Sequence, residues 1–428
     1  MTDATNTLTT TDGLSLQMTG TNVSALSVSG AALASAGGLL VRDVAADSAF
    51  VPADACSAMG LRVELSAEAT GDHVAFSGCI TDTTGRDRAV TVRFALPIST
   101  EGWTWHDDVR ASRAIEADTR YIHATDMQTG VAGEHSLYPL GAITRDDLGL
   151  CLAADMLKCP AQTRIACEDG VFYLEYDFGL APETDAFPSA APFAFVLFNV
   201  DGGYGFRGAL ARFYAIFAEC FERRLDTHGA WMPFADISAI EGFEDFGFVF
   251  HEGAVHDQFN ADHGIGNYRY TEPSTWWMDM PDGMERSAED VDRMIREYAA
   301  GDDEKYKLSA QVTLASVAYD EHGHMQYQSR DLPWCHGVCF SSNPNPNLPE
   351  PCEGRTLLWN DADRAMLYGP DTPGLQAGEY LDSLEAYATE AENHRRDHFR
   401  HVTIPLTFSR ESKSPCIHKA FSVFEFCK

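Results

Sequence analysis

The pattern of apolar and polar residues changes character once along the chain. Up to about residue 200, apolar and polar residues alternate in short runs, with Gly, Asp, Thr and Pro between them. The clearest runs are Leu61–Leu65, His73–Phe76, Ala89–Leu96, Gly170–Phe178 and Phe193–Phe198. Short alternating strands separated by turn residues are typical of antiparallel sandwiches. The pattern therefore predicts a large β-sandwich over residues 1–203.

A helical pattern follows the last of these strands. From Phe206 to Leu225, apolar residues recur every three or four positions. This spacing places them on one face of a helix. We therefore expect a linker helix within residues 204–229.

Beyond residue 230 the pattern suggests strands that alternate with helices. Phe246–Phe250, Leu308–Val317 and Gly337–Phe340 are predicted strands, and Ser287 begins a helix with a capping-box pattern. Such alternation is typical of parallel β/α units. The predicted fold is therefore multidomain, a β-sandwich followed by a TIM-type β/α barrel over residues 230–428. Because four to six strands are predicted where a closed barrel has about eight, we expect the barrel to be C-terminally truncated.

Composition and charge narrow the possible partners. The formal net charge is −33, and such a field repels nucleic acid and anionic membranes. Eleven cysteines, an odd number, argue against a secreted disulfide framework. The first residues show neither the basic nor the apolar region of a signal peptide, which predicts a cytoplasmic protein. The oligomeric state stays open.

The candidate chemistry begins with an acidic residue at a predicted strand end. In β/α barrels the carboxyl ends of the strands form the site, and Asp382 directly follows the apolar pair Tyr380-Leu381. Glu385 comes three residues later. A carboxylate in this position can attack an anomeric carbon or stabilise an oxocarbenium ion. Alternatively, Asp382 caps the following segment or pairs with an arginine.

Aromatic and acidic residues also cluster between positions 268 and 280. Trp faces stack on pyranose rings, so Trp276 and Trp277 are candidate sugar contacts, with Glu272 and Asp279 as hydroxyl acceptors. Adjacent residues of a strand point to opposite faces, so one Trp is expected in the core and the other at the ligand.

Three further residues are candidate substrate contacts. His251 and Glu252 end a predicted strand, and Trp334 precedes another. Each has a plain structural alternative, such as a histidine whose hydrogen bonds are satisfied inside the domain.

The segments Gly378–Glu385 and Pro405–Ser409, together with Trp276-Trp277, resemble bacterial glycoside hydrolase-like proteins. These join an N-terminal sandwich of the galactose-mutarotase type to a (β/α)8 barrel, and are similar to the α-galactosidase clan and the endo-α-N-acetylgalactosaminidases. The resemblance implies that Asp382 is the catalytic nucleophile. It does not assign the acid, which would be Glu385 or lie in missing sequence.

The sequence thus predicts a retaining glycosidase that acts on an oligo- or polysaccharide without a cofactor or metal ion. The alternative is a carbohydrate-binding or scaffold protein of the same fold without catalytic activity.

Overall fold

The computed structural model describes residues 5–124, 138–158, 162–383, 389 and 391–427. The chain divides into two compact units. The sandwich unit comprises residues 1–222 and 396–418, and the α/β unit comprises residues 223–395 and 419–428. The sequence-based boundaries differ, because they place segment 396–418 with the second domain.

The strands of the sandwich unit form two antiparallel sheets. They are β1 Asn6–Thr9, β2 Leu14–Thr19, β3 Asn22–Val28, β4 Ala31–Ala34, β5 Gly38–Asp43, β6 Val51–Pro52, β7 Leu61–Thr70, β8 His73–Asp82, β9 Arg88–Pro97, β10 Thr104–His106, β11 Ser112–Ala114, β12 Tyr121–Ala124, β13 Leu140–Arg145, β14 Leu148–Ala154, β15 Thr163–Glu168, β16 Val171–Leu180 and β17 Ala190–Asn199. Within the described ranges, one sheet has the order β1-β2-β3-β5-β9-β16-β15-β12, and the other has the order β11-β10-β13-β14-β17-β8-β7.

The core of the sandwich unit explains the alternation seen in the sequence. Phe76 on β8 stacks on Phe195 of β17, with ring centroids 4.4 Å apart, and both rings contact Phe94 of the other sheet. Helix α1, Gly205–Ile216, buries Phe206, Leu210 and Phe213 against a cluster of sandwich residues. The prediction of a β-rich fold is therefore confirmed. The helical pattern forms a helix over Gly205–Ile216, and this helix belongs to the sandwich unit.

The α/β unit contains a parallel sheet and an antiparallel sheet. Its strands are β18 Ala230–Pro233, β19 Phe248–Glu252, β20 Gly266–Thr271, β21 Thr275–Asp279, β22 Tyr327–Leu332, β23 Cys335–Ser341, β24 Gln376–Leu381 and β25 Glu392–Asn393. Its helices are α2 Gln258–Asp262, α3 Ala288–Ala300, α4 Glu304–Ser316, α5 Asp361–Tyr368 and α6 Lys419–Cys427, with a π-helix over Glu353–Leu358. Strands β26 Thr407–Phe408 and β27 Pro415–His418 belong to the sandwich unit.

The parallel sheet is open and has the order β18-β19-β20-β24. The described residues of this unit show no closed TIM-type barrel. The chain that follows β20 forms the antiparallel sheet β21-β23-β22 and helices α3 and α4 instead of further parallel strands. As a result, β24 pairs directly with β20, about a hundred residues away in the sequence.

Some local predictions were wrong for identifiable reasons. The expected strand Leu308–Val317 lies mostly in helix α4, where Ala310, Thr313 and Ser316 are buried at helical spacing. The β-branched residues Val312 and Thr313 are of a type common in strands, but here they lie in the helix. The predicted strand Gly337–Phe340 and the helix beginning after Ser287 are both present.

Disulfide bonds and membrane-spanning helices can be checked within the described ranges. No disulfide bond joins two cysteines of the described ranges. No helix in these ranges combines the length and apolar character that a membrane span requires.

Candidate functional site

Three carboxylates lie at the carboxyl ends of neighbouring parallel strands. Glu252 is the last residue of β19, Glu272 follows β20, and Asp382 follows β24. The amide of Asp382 donates a hydrogen bond to the carbonyl of Thr271 over 2.9 Å, which continues the pairing of β20 with β24 by one residue. Because parallel strands end at one edge of a sheet, the pairing brings Asp382 beside Glu272.

Tyr270 joins the two carboxylates. Its hydroxyl lies 2.9 Å from Oδ2 of Asp382 and also contacts Oε1 of Glu272. Burial raises the pKa of Tyr270 far above its ordinary value, and the hydrogen bonds and charges of the two carboxylates raise it further. The hydroxyl therefore stays protonated, and its single hydrogen can be donated to only one of the two carboxylates at a time.

Further donors fix the orientation of Glu272. Its Oε2 accepts a hydrogen bond from the indole of Trp277 over 2.7 Å and another from the hydroxyl of Thr275. Both donors belong to β21, which begins three residues after Glu272. A carboxylate with this many donors is held in one place as a hydrogen-bond acceptor.

An aromatic cavity of about 620 Å³ opens beside these residues. Its apolar wall includes Phe234, Trp276, Trp277, Trp334 and Leu357, and its polar groups include Tyr270, Glu272 and Glu353. Trp334 is 65% exposed, and its ring meets that of Trp277 edge to face at 6.1 Å. The cavity thus combines exposed aromatic faces with a small number of fixed polar groups, as small-molecule and sugar sites do.

The two adjacent tryptophans have different surroundings. Trp276 stacks on Phe340 at 5.8 Å and packs against the buried cluster around Met278 and Val338. Trp277 donates to Glu272 instead. Both line the cavity, and Trp276 combines this with a place in the core.

Glu252 lies near the site but does not line the cavity. It is buried, and its Oε2 has no hydrogen-bond partner among the described residues. Burial raises the pKa of Glu252 and the charge of Asp382 raises it further, while the neighbouring indole of Trp231 opposes both effects. Its neighbour His251 is also buried, and its Nδ1 lies 2.8 Å from the side-chain Nδ2 of Asn260, to which it is hydrogen-bonded.

The remaining sequence-predicted residues lie away from the cavity or outside the description. Asp279 accepts hydrogen bonds from the hydroxyl of Tyr306 and the amide of His336, at 3.2 and 3.0 Å, at the far end of β21. Glu385 lies outside the described residues. Their proposed contacts with substrate stay predictions.

Two residues of the site were not anticipated from the sequence. Tyr270 belongs to a strand rich in aromatic residues and could have been noticed because it lies two positions before Glu272. Glu353 lies in a segment between Pro351 and Leu358 with no clear periodicity. It is only 2% exposed, and burial raises its pKa to about 8.

Comparisons with known proteins find similar structures but do not assign the chain to a family. No protein-family model and no curated protein sequence matches the chain. An α-galactosidase structure from Lactobacillus brevis shares 11% identity at a TM-score of 0.32, over 69% of this chain and 48% of that one. The α-N-acetylgalactosaminidase NagBb from Bifidobacterium bifidum shares 9% identity at a TM-score of 0.40, over 79% of this chain and 66% of that one.

A galactose mutarotase-like protein from Lactobacillus casei is also similar, with 6% identity and a TM-score of 0.26. That alignment covers 46% of this chain and all of the other, whereas the chain spans less than two thirds of either glycosidase structure. Glycoside hydrolases are thus among the similar structures. At these TM-scores the similarities do not establish a shared fold.

Proposed function

We propose that this chain carries the nucleophile half of a retaining glycoside hydrolase site, with Asp382 as the carboxylate that attacks the anomeric carbon. The observation that carries the proposal is the hydroxyl of Tyr270, which contacts Asp382 and Glu272 at the ends of two paired parallel strands beside an aromatic cavity. Tyr270 lines this cavity and binds Asp382, which is not itself a lining residue. Glycosyl transfer to the protein would require a sugar ring to bind in the cavity within reach of that carboxylate.

The neighbouring residues have complementary roles in this proposal. Tyr270 holds the attacking oxygen of Asp382 in place, and Glu272 accepts hydrogen bonds from sugar hydroxyls. Trp277 and the exposed Trp334 stack on the sugar, while Trp276 closes the inner wall. The four parallel strands would then correspond to one arc of a β/α barrel, with the site at the carboxyl ends of its strands.

The test begins with a panel of 4-nitrophenyl glycosides. It starts with the α-galactoside and the N-acetyl-α-galactosaminide, since these sugars appear in the names of the similar glycosidases. Release of nitrophenol by the wild type is expected for at least one substrate. Asp382→Asn should lower kcat/KM by about a thousandfold or more, because an amide oxygen is a far weaker nucleophile than a carboxylate oxygen. The exposed Asp282→Asn is the matched control.

A trapping experiment identifies the nucleophile directly. A 2-deoxy-2-fluoro glycosyl fluoride of the accepted sugar should add one glycosyl group to the wild type, and peptide mass spectrometry should place it on Asp382. A label on another residue, or full turnover by Asp382→Asn, contradicts the assignment. Binding of glycans to the wild type without any release of sugar would instead support a carbohydrate-binding protein.

A further inference from the structure

Glu353 is a buried carboxyl group on the wall of the same cavity. It begins the π-helix Glu353–Leu358 and is 2% exposed, yet it lines the cavity together with Tyr270 and Glu272. Its Oε2 has no hydrogen-bond partner within the described ranges. An unpaired polar atom buried next to a cavity is costly unless a ligand uses it.

The π-helix that carries Glu353 is fixed to the parallel sheet. Arg269 of β20 donates through Nη2 to the carbonyl of Leu358 over 2.7 Å, and through Nε to Glu379 of β24 over 2.7 Å. At the other end, the amide of Cys352 donates to the hydroxyl of Thr356 over 2.9 Å. The position of Glu353 is therefore coupled to the two strands that end at Glu272 and Asp382.

The surroundings of Glu353 keep its carboxyl group protonated at neutral pH. Burial raises its pKa to about 8, and the hydroxyls of Ser342 and Ser316 offset only part of this effect. The other polar groups on the wall of the cavity include Tyr270 and the fixed carboxylate of Glu272. A protonated carboxyl group with a pKa close to the working pH is suited to give up a proton to a leaving group.

We propose that Glu353 is the general acid and base of this site, the partner of Asp382 that the sequence does not assign. The inference rests on the proposed glycosidase function. In the first step an oxygen of Asp382 forms a bond to the anomeric carbon while the bond to the glycosidic oxygen breaks. That oxygen keeps the electron pair and takes the proton of Glu353, so the leaving group departs as an alcohol.

In the second step the carboxylate of Glu353 takes a proton from water, and the water oxygen attacks the anomeric carbon. The ester bond to Asp382 breaks and returns its electron pair to the carboxylate. Both residues are then in their starting states, and atoms and charges balance over the two steps.

The test compares leaving groups within one variant. Substrates are the 2,4-dinitrophenyl and methyl α-galactosides, or the same pair for another sugar of the panel that the wild type hydrolyses. Dinitrophenolate leaves without a proton, whereas methanol needs one. Glu353→Gln should lower kcat/KM for the methyl glycoside by about a hundredfold or more, and for the dinitrophenyl glycoside by less than about tenfold. The surface variant Glu297→Gln is the control for the Glu-to-Gln exchange itself.

The wild type provides a second readout that does not depend on the folding of a variant. With the methyl glycoside, kcat/KM should decline above about pH 8, because Glu353 must be protonated to act. Glu353→Gln should lack this decline. Wild-type activity that stays level up to about pH 10 with the methyl glycoside would overturn the role of Glu353.

The outcomes separate the two proposals. If the wild type hydrolyses no sugar of the panel, both the proposed function and the role of Glu353 are overturned. If the wild type is active and Asp382→Asn is inactive, but Glu353→Gln loses both leaving groups equally or neither, only the role of Glu353 fails. The leaving-group signature in Glu385→Gln instead of Glu353→Gln would assign the acid to Glu385.

Discussion

Replacing Glu353 with Gln should stabilise the α/β unit at neutral pH, and more so as the pH rises. The side chain is buried beside the cavity, and its carboxyl group has a pKa of about 8 in place of the ordinary 4.5. A group whose pKa is raised by folding contributes its full stability below about pH 4.5. That contribution is lost as the pH rises towards about 8, because the unfolded chain can ionise the group and the folded chain cannot.

The size of the effect follows from this difference. Each pH unit above about 4.5 lowers the free energy of unfolding by about 1.4 kcal/mol, which amounts to about 3 kcal/mol at about pH 7. Gln has nearly the same shape and does not titrate, so the variant should escape this loss. For a folding unit of about 200 residues, 3 kcal/mol corresponds to a Tm higher by about 6–12 °C.

Thermal unfolding followed by tryptophan fluorescence is the assay. Five of the seven tryptophans lie in the α/β unit, so the signal reports mainly on that unit. The difference in Tm between Glu353→Gln and the wild type should be small near pH 5 and should grow steadily to about pH 8. Glu297→Gln should show no such trend, since it changes an exposed side chain. Parallel curves of Tm against pH would show that folded Glu353 ionises normally, and would refute the reasoning.

Two further predictions concern the two units separately. Tyr270→Phe removes the hydroxyl shared by Asp382 and Glu272, a charge-assisted hydrogen bond of about 1.5–3 kcal/mol, so kcat/KM on the accepted nitrophenyl glycoside should fall about 10- to 150-fold. A change below about threefold, as expected for the control Tyr327→Phe, would contradict the role of Tyr270. In the sandwich unit, burial lowers the pKa of His123. The Tm measured by calorimetry should therefore fall as the pH drops below about 6.5, because the unfolded chain binds a proton there that the folded chain does not. His123→Gln should weaken this dependence. An acid response of equal size in that variant would assign it to other groups.

The sandwich unit was predictable because its determinants are local. In β7, residues 61–70 alternate in burial along the strand, and β8, β9, β16 and β17 were recognised from similar apolar runs. Each run defines its own strand through the period of two and the turn residues at its ends. The order of the strands within the sheets has no such local signal and was not predicted.

The α/β unit was predicted less well because neighbouring strands are distant in sequence. The strand end at Asp382 was found, since a short apolar run and an acidic residue mark it locally. The open parallel sheet was not predicted, because nothing in the sequence of β20 indicates that its partner is β24. Helix α4 differs from the predicted strand because its buried positions follow a helical spacing, although it contains β-branched residues that are common in strands.

The same long-range pairing determines which residues can act together. The register of β20 with β24 sets Tyr270 opposite Tyr380 and Thr271 opposite Leu381, so that Asp382 reaches the Tyr270 hydroxyl from 112 residues away. A shift by one residue would turn the alternating side chains to the other face and separate this pair. The chain between the two strands is not a simple connection, because it supplies Trp277 and Glu353 to the cavity wall. The open sheet therefore carries the proposed nucleophile, and the segment inserted between its strands carries part of the cavity wall and the proposed acid.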